Sequence, residues 1–280
     1  MLFLAIFLHA SVHFQQSSSI MAYKNQVGGR AEIIKVFGDH LLKPTTFYEV
    51  ESYLKMSRSI ADIAPDCCYI FSFGKVISLK KCTVCSDPMS MKTINLLFSN
   101  QASGHYLLMK DEAHAAVSPR ILDLKLGTRT HSDYISEEKK INHIKKSLST
   151  TTAVLGLRLS GASFGRGEVK WTKEDGKRMN AETFKRAMKH FFDVSQPKKN
   201  AAKRQLLKIK ASLKSNENTR FFGSSLLVII DDDVESPEAS VKVKLIDFAS
   251  MARSEYNAPQ YKGADVGALL GVTNLLQILN

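Results

Sequence analysis

Pro119 to Lys140, PRILDLKLGTRTHSDYISEEKK, gathers the residue types best suited to chemistry. Asp123 stands two residues before Lys125, in a short apolar run that Gly127 ends. The alternation along Ile121, Leu122, Asp123, Leu124, Lys125 and Leu126 predicts a strand, on which residues i and i+2 share a face. Carboxylate and ammonium therefore point the same way. Arg129, His131, Lys139 and Lys140 follow closely. An acid beside a cation, with more cations behind, suits the transfer of a phosphoryl group onto a polyanion. Alone, the D-x-K spacing is a weak signal, because most such pairs are surface ion pairs.

The wider pattern is more specific. Pro119, Asp123, Lys125 and Gly127 fill P-x-x-x-D-x-K-x-G, which resembles the signature of the inositol polyphosphate kinase family. The extension LDLKLGTRTHSD, followed by SEEK, is most similar to the inositol hexakisphosphate kinases. Three more blocks occur in the family's order: QVGG at 26–29, SSLL at 224–227 and IDF at 246–248. The resemblance runs from about residue 25 to the end. It implies an α+β, two-lobed kinase-like fold related to ATP-grasp enzymes and protein kinases. An antiparallel-sheet N-terminal lobe (22–110) would bind ATP. A mixed α/β C-terminal lobe (111–280) would carry the catalytic motifs and a helical inositol-phosphate-binding segment at about 131–150.

The same resemblance implies ATP and Mg2+ as cofactors and an inositol polyphosphate as substrate. Asp123 and Lys125 are then the catalytic pair. Lys43, Asp111 and Asp247 would meet the nucleotide, and Asp247 and Ser225 the metal. Lys125, Arg129, His131, Lys139 and Lys140 would meet the substrate. Hexakisphosphate, giving a diphosphate product, is the first expectation for the acceptor. A multikinase or trisphosphate 3-kinase acting on ring hydroxyls is the alternative. Arg30 replaces the His of relatives and the first lobe is trimmed, which leaves substrate preference open. So does the role of Asp123: it would deprotonate a hydroxyl acceptor but only orient a phosphate.

Several elements must position these groups. Ile33 to Lys43, turning at Gly38-Asp39, predicts a hairpin that delivers Lys43 just before Pro44. Phe47, Val50 and Leu54 have helical spacing over 45–56, where Glu49, favoured by the family-like FYE, or Glu51 would pair with Lys43. Tyr69–Phe73, Val76–Leu79, Ile94–Phe98 and Tyr106–Met109 read as strands, with Asp111 just past the last, at the hinge. Tyr134–Ser149 reads as a helix with Ile141, Ile144 and Leu148 on one face. STTTAVLGLRLSG resembles a family strand whose Arg158 is expected to brace the fold. GRG at 165–167 is also family-like. Asn180 caps a helix whose Phe184, Ala187, Met188, Phe191 and Phe192 form a core stripe. A helix over 198–214 carries seven cations, expected to form a solvated face. Strands at 224–230 and 241–245 would place Asp247 at the end of the second, and Asp265 would cap the closing helix.

Composition bounds the rest. With 280 residues, 44% of them hydrophobic, the chain is long enough for one large domain or two lobes with a real core. A net charge of +12 asks for an acidic partner. No RNP, zinc-finger or helix-turn-helix pattern occurs, so nucleic acid is not expected. Cys67-Cys68 and Cys82-x-x-Cys85 invite a zinc reading, but no histidine lies nearby in sequence, and reduced, partly buried thiols are expected instead. MLFLAIFLHASVHF is too short to span a bilayer and lacks the cationic start of a signal peptide. Residues 1–21 are accordingly expected to be a leader outside the fold, and the protein a monomer of the cytoplasm or nucleus with no transmembrane segment. Two further classes compete: a catalytically silent inositol-phosphate sensor, and a binder of anionic membrane or nucleic acid with steep salt dependence.

Overall fold

The structure, a computed structural model, describes residues 21–29, 31–80, 82–99, 104–253 and 261–280. The expected leader, apart from Met21, and Arg30 lie outside them. Two antiparallel sheets organise the chain. The first has the order β1-β2-β3-β6-β4-β5, from β1 (Met21–Ala22), β2 (Ile34–Phe37), β3 (His40–Thr45), β4 (Cys67–Ser72), β5 (Lys75–Ser78) and β6 (His105–Lys110). The second has the order β12-β11-β7-β8-β9, from β7 (Pro119–Leu126), β8 (Leu157–Phe164), β9 (Val169–Trp171), β11 (Ser225–Asp231) and β12 (Val241–Ile246). A short ribbon pairs β10 (Thr219–Arg220) with β13 (Ala252–Arg253).

Alternation on β7 divides the molecule as its sequence demands. Leu122, Leu124 and Leu126 are fully buried and join the main core with Phe184, Met188 and Phe191 of α8 (Ala181–Phe191). Ile121, Asp123 and Lys125 take the other face. The caps predicted at Asn180 and Asp265 are formed, and a third stands at Thr46. Thr46 accepts from Glu49 N–H at the start of α1 (Phe47–Leu54). Asn180 and Thr183 form a reciprocal capping box on α8. Asp265 accepts from Ala268 N–H at the start of α11 (Val266–Ile278). Satisfying orphan amides in this way is why short polar residues mark helix starts.

Two expectations fail. Ile94–Phe98 is not a strand but lies within α4 (Pro88–Ser99). Asp87 Oδ2 accepts from Ser90 N–H at its start and proline leads the first turn, where its missing N–H costs nothing. Helix α5 (Glu137–Leu148) forms as predicted but not with the expected face inward. Ile141, Ile144 and Leu148 are exposed, Leu148 by 72%, while Ser147 is buried.

Candidate active site

The catalytic strands meet in register. On β7 and β11, Lys125 pairs with Ser225 and Asp123 with Leu227, and Ser225 pairs with Ile246 on β12. Directly paired residues share a face, so Asp123, Lys125 and Ser225 project to one side of the sheet. Asp247 follows β12 with φ 65, a left-handed backbone that non-glycine residues adopt at a cost and that clusters at functional sites. That turn brings its carboxylate between two lysines. Lys43 Nζ donates to Asp247 Oδ1 at 2.9 Å, and Lys125 Nζ is 3.5 Å from Asp247 Oδ2.

Three elements that precede β7 in the chain complete the cluster. Lys43 also donates to Glu49 Oε1 at 2.9 Å, the partner favoured over Glu51. The same Glu49 oxygen accepts from Phe248 N–H at 3.0 Å, and Ser52 Oγ donates to the Phe248 carbonyl at 3.0 Å. Helix α1 therefore holds the segment after Asp247 directly. The QVGG loop covers Asp123 from above. A Cβ on Gly28 would fall 2.1 Å from Asp123 Oδ2, and one on Gly161 would fall 1.7 Å from the Val27 carbonyl oxygen. Both glycines are required by close approach.

Charge in this cluster is sharply differentiated. Burial pushes the Asp123 carboxyl up to about 6, Lys125 pulling it down and Asp247 pushing it further up. Burial acts on Asp247 in the same sense, but the Lys43 and Lys125 ammoniums overcome it and hold Asp247 well below the usual carboxylate range. Lys43 is raised, its burial being outweighed by Asp247 and Glu49. A protonatable acid thus stands beside a permanently ionised one, an arrangement that separates acid–base work from charge holding.

Two cavities border this pair. The first, about 360 Å³, is largely apolar, lined by Ile33, Leu41, Met109, Ile121, Leu227 and Ile246, with Lys43 and Asp247 at one end. The second, about 780 Å³, is polar and basic, lined by Lys24, Lys125, His143, Lys146, Arg158, Lys170 and Lys173. Asp123, Asp247, Gly28 and Gly223 line both. An apolar slot suits a nucleobase and a basic bowl a polyanion, and the wall between them carries the ionisable groups.

Of the predicted site residues, Lys43, Asp123, Lys125 and Asp247 come together. Ser225 shares their face of the sheet, and the remaining predicted residues sit elsewhere. Asp111 follows β6 directly and is turned inward: Tyr23 O–H donates to its Oδ1 at 2.6 Å and Ala113 N–H at 2.9 Å, and it lines neither cavity. Ser225 is fully buried on the face it shares with Asp123 and Lys125 and lines neither cavity. Arg129 is braced by Asp133, by Tyr261 and by the face of Phe222 at 4.1 Å. His131 is buried, its ring 5.8 Å from that of His143. Lys139 is exposed and Lys140 pairs with Glu137 at 3.2 Å, both in the first turn of α5. From the segment expected to bind the inositol phosphate, His143 and Lys146 of α5 line the bowl. Arg158, expected as a brace, donates to Thr152 Oγ1 at 3.2 Å and also lines the bowl. Lys24, Lys170 and Lys173 went unrecognised. Their only sequence signals are nearness to QVGG and to GRG.

Comparison with known proteins agrees with this geometry. Residues 106–280, more than half the chain, match the family described as inositol polyphosphate kinase. Mouse inositol hexakisphosphate kinase 3 is 32% identical over 197 residues, which cover 62% of this chain and 50% of the relative. Human inositol hexakisphosphate kinase 2 is 30% identical over 215 residues, covering 62% of this chain and 50% of the relative. The chain spans about half the length of the curated relatives it matches. Among solved structures, the inositol phosphate multikinase of S. cerevisiae in complex with ADP and Mn2+ superposes with a TM-score of 0.66 at 20% identity, covering 86% of this chain and 98% of that one. This likeness shows the kinase-like α+β fold.

Proposed function

The chain belongs to the inositol polyphosphate kinase family, and from that premise we propose that it transfers the γ-phosphoryl of ATP to an inositol polyphosphate. The observation that carries this reading is the shared wall: an apolar slot and a basic bowl meet across Asp123 and Asp247. The yeast multikinase was captured with ADP and Mn2+, which supports a nucleotide and a divalent ion here. The first lobe, 22–110, would hold the nucleotide and the second, 111–280, the acceptor.

The residues fit a divalent cation. Asp247 offers a hard, permanently ionised carboxylate in the cleft, and such ions need only one or two protein oxygens besides phosphate and water. Ser225, buried on the same face as Asp123 and bordering neither cavity, is assigned to the surroundings of the Asp123 carboxyl rather than to the ion. A bound Mg2+ would offset charge on the nucleotide phosphates. Lys43, steered by Glu49, would meet those phosphates, and Lys125 would stand where the transferring group gathers charge. Asp123 borders both cavities, so it can accept a hydroxyl proton or orient an acceptor phosphate.

Within the family, the hexakisphosphate kinases at about 30% identity support hexakisphosphate as acceptor and a diphosphate product. A second reading, phosphorylation of a ring hydroxyl, is favoured by Asp123 itself. Its Oδ1 is buried without a hydrogen-bond partner, and a carboxyl raised to about 6 suits a general base. The deciding experiment incubates the protein with Mg-ATP and a panel of inositol phosphates and separates the products by chromatography. A diphosphate from hexakisphosphate supports the first reading, and new monoesters alone the second. No turnover, with Asp247→Asn binding inositol phosphates as tightly as wild type, leaves a sensor.

A further inference from the structure

On the face of the first sheet turned away from the cleft, four metal-binding side chains converge. His40 opens β3 and Cys68 lies on β4. Cys82 is the N-cap of the short helix α3 (Thr83–Ser86), and Cys85 lies within it. One ligating atom from each lies within 4.8 Å of all the others. His40 Nε2 is 3.1 Å from Cys85 Sγ and 3.4 Å from the sulfurs of Cys68 and Cys82. Cys68 Sγ and Cys82 Sγ are 3.8 Å apart. In a tetrahedron with zinc–sulfur bonds of about 2.3 Å and a zinc–nitrogen bond of about 2.0 Å, sulfur–sulfur edges are roughly 3.8 Å and sulfur–nitrogen edges roughly 3.5 Å. We propose that His40, Cys68, Cys82 and Cys85 form a structural zinc site.

The surroundings are built for it. All four cysteines of the chain are free thiols, so no disulfide accounts for the convergence. Cys85 N–H donates to Cys82 Sγ at 3.3 Å, the backbone turn that lets a C-x-x-C pair aim both sulfurs at one point. His40 Nδ1 is 2.9 Å from Asp39 Oδ1, and neither atom has another polar partner. A carboxylate on one ring nitrogen fixes the tautomer and leaves the other nitrogen as the ligand. The register shift between Cys67 and Tyr69 on β4 is a bulge that re-aims a side chain. It sends Cys68 to this face, with Tyr69, while Cys67 joins the main core.

Four protein ligands leave no open position, which marks the site as structural. Its role follows from what it joins. Among the described residues the satellite core on this face has eight buried members, Cys68 and Cys85 among them, and small cores gain most from a metal staple. The ion would tie β3, β4 and the 79–86 connection together. It would also pin β3 three residues before Lys43, which projects from the opposite face into the nucleotide slot.

The test is metal content of the full chain, expressed in zinc-supplemented medium and purified without chelator. About one zinc per chain is expected. Its removal by a chelator with Co2+ replacement should give the charge-transfer and visible bands of tetrahedral thiolate cobalt. Cys82→Ser and His40→Ala should lose the metal and those bands, while Cys67→Ser, one residue from a ligand but in the other core, should keep them. Because a ligand variant can misfold, the wild-type zinc content and cobalt spectrum decide independently. Zinc-free wild type with freely titrating thiols and no cobalt bands overturns the site, as does a Cys82–Cys85 disulfide in the unreduced protein. Retention of zinc by a Cys82→Ser, Cys85→Ser double variant would place the ion elsewhere and also overturns it.

Discussion

At Asp123 stability and chemistry pull against each other. A carboxyl whose folded pKa, about 6, exceeds its unfolded value holds its proton more tightly in the native state. The stability linked to it is complete below about pH 4 and is lost as pH rises through the folded value. Asp123→Asn should therefore match wild type near pH 4 and be more stable at pH 8, by on the order of 3 kcal/mol in denaturant titrations. Asp247, held low by two lysines, has the opposite sign: its contribution is present above the ordinary carboxylate range and fades on acidification. Activity should move the other way from stability. If a ring hydroxyl is the acceptor, Asp123→Asn should lower kcat by about 10² to 10⁴ and abolish an acid limb near the Asp123 pKa in the kcat/KM profile. A phosphate acceptor, already ionised, predicts no such limb.

Elements read from sequence succeeded where a local signal and the tertiary demand coincide. β7 was legible because apolar alternation and sheet burial share a period of two. The caps at Asn180 and Asp265 were legible because capping is local. Helix α5 shows the limit. Its Ile141, Ile144 and Leu148 stripe looks like a packing face, yet the helix lies along the bowl with His143 and Lys146 inward, and only the position of β8 and β9 decides that. Ile144→Lys should accordingly shift stability by no more than about 0.5 kcal/mol, whereas Phe184→Ala in the main core should cost about 3–5 kcal/mol; chemical denaturation compares them directly. The QVGG loop was recognised as a block, but its reason, backbone pressed onto Asp123 and β8, needed the assembled sheet. Gly161→Ala would push a methyl into the Val27 carbonyl and should destabilise by about 1–3 kcal/mol. Gly28→Ala meets the end of a side chain instead and should reduce kcat/KM more than it reduces the melting temperature. His40 was invisible as a partner of the cysteines for a similar reason: strand pairing, not sequence spacing, carries it to them.

Across the whole molecule the positive charge is unevenly spent, and that unevenness distinguishes the proposed acceptor site from a generally basic surface. Lys24, Lys125, Lys146, Arg158, Lys170 and Lys173 border one bowl, while Lys203, Lys208 and Lys214 of α9 (Gln196–Ser215) and Lys139 of α5 take no part in it. Charges around a concave, low-dielectric site focus the field on an anion, whereas scattered exposed lysines are screened beyond about 10 Å at 0.1 M salt. Each charge-assisted hydrogen bond to a phosphate group is worth about 1.5–3 kcal/mol, and 1.4 kcal/mol is tenfold. Replacing Lys170 and Lys173 together by alanine should therefore raise the KM for the inositol phosphate by at least about tenfold while leaving the KM for ATP unchanged, because neither lysine borders the apolar slot. The Lys139→Ala, Lys140→Ala pair removes the same formal charge from outside the bowl and should alter either KM by less than about twofold. Steady-state kinetics with each substrate varied in turn would separate the two outcomes. Equal effects from both pairs would mean that net charge alone, not the bowl, recruits the acceptor, and the division of labour between the two cavities would fall with it.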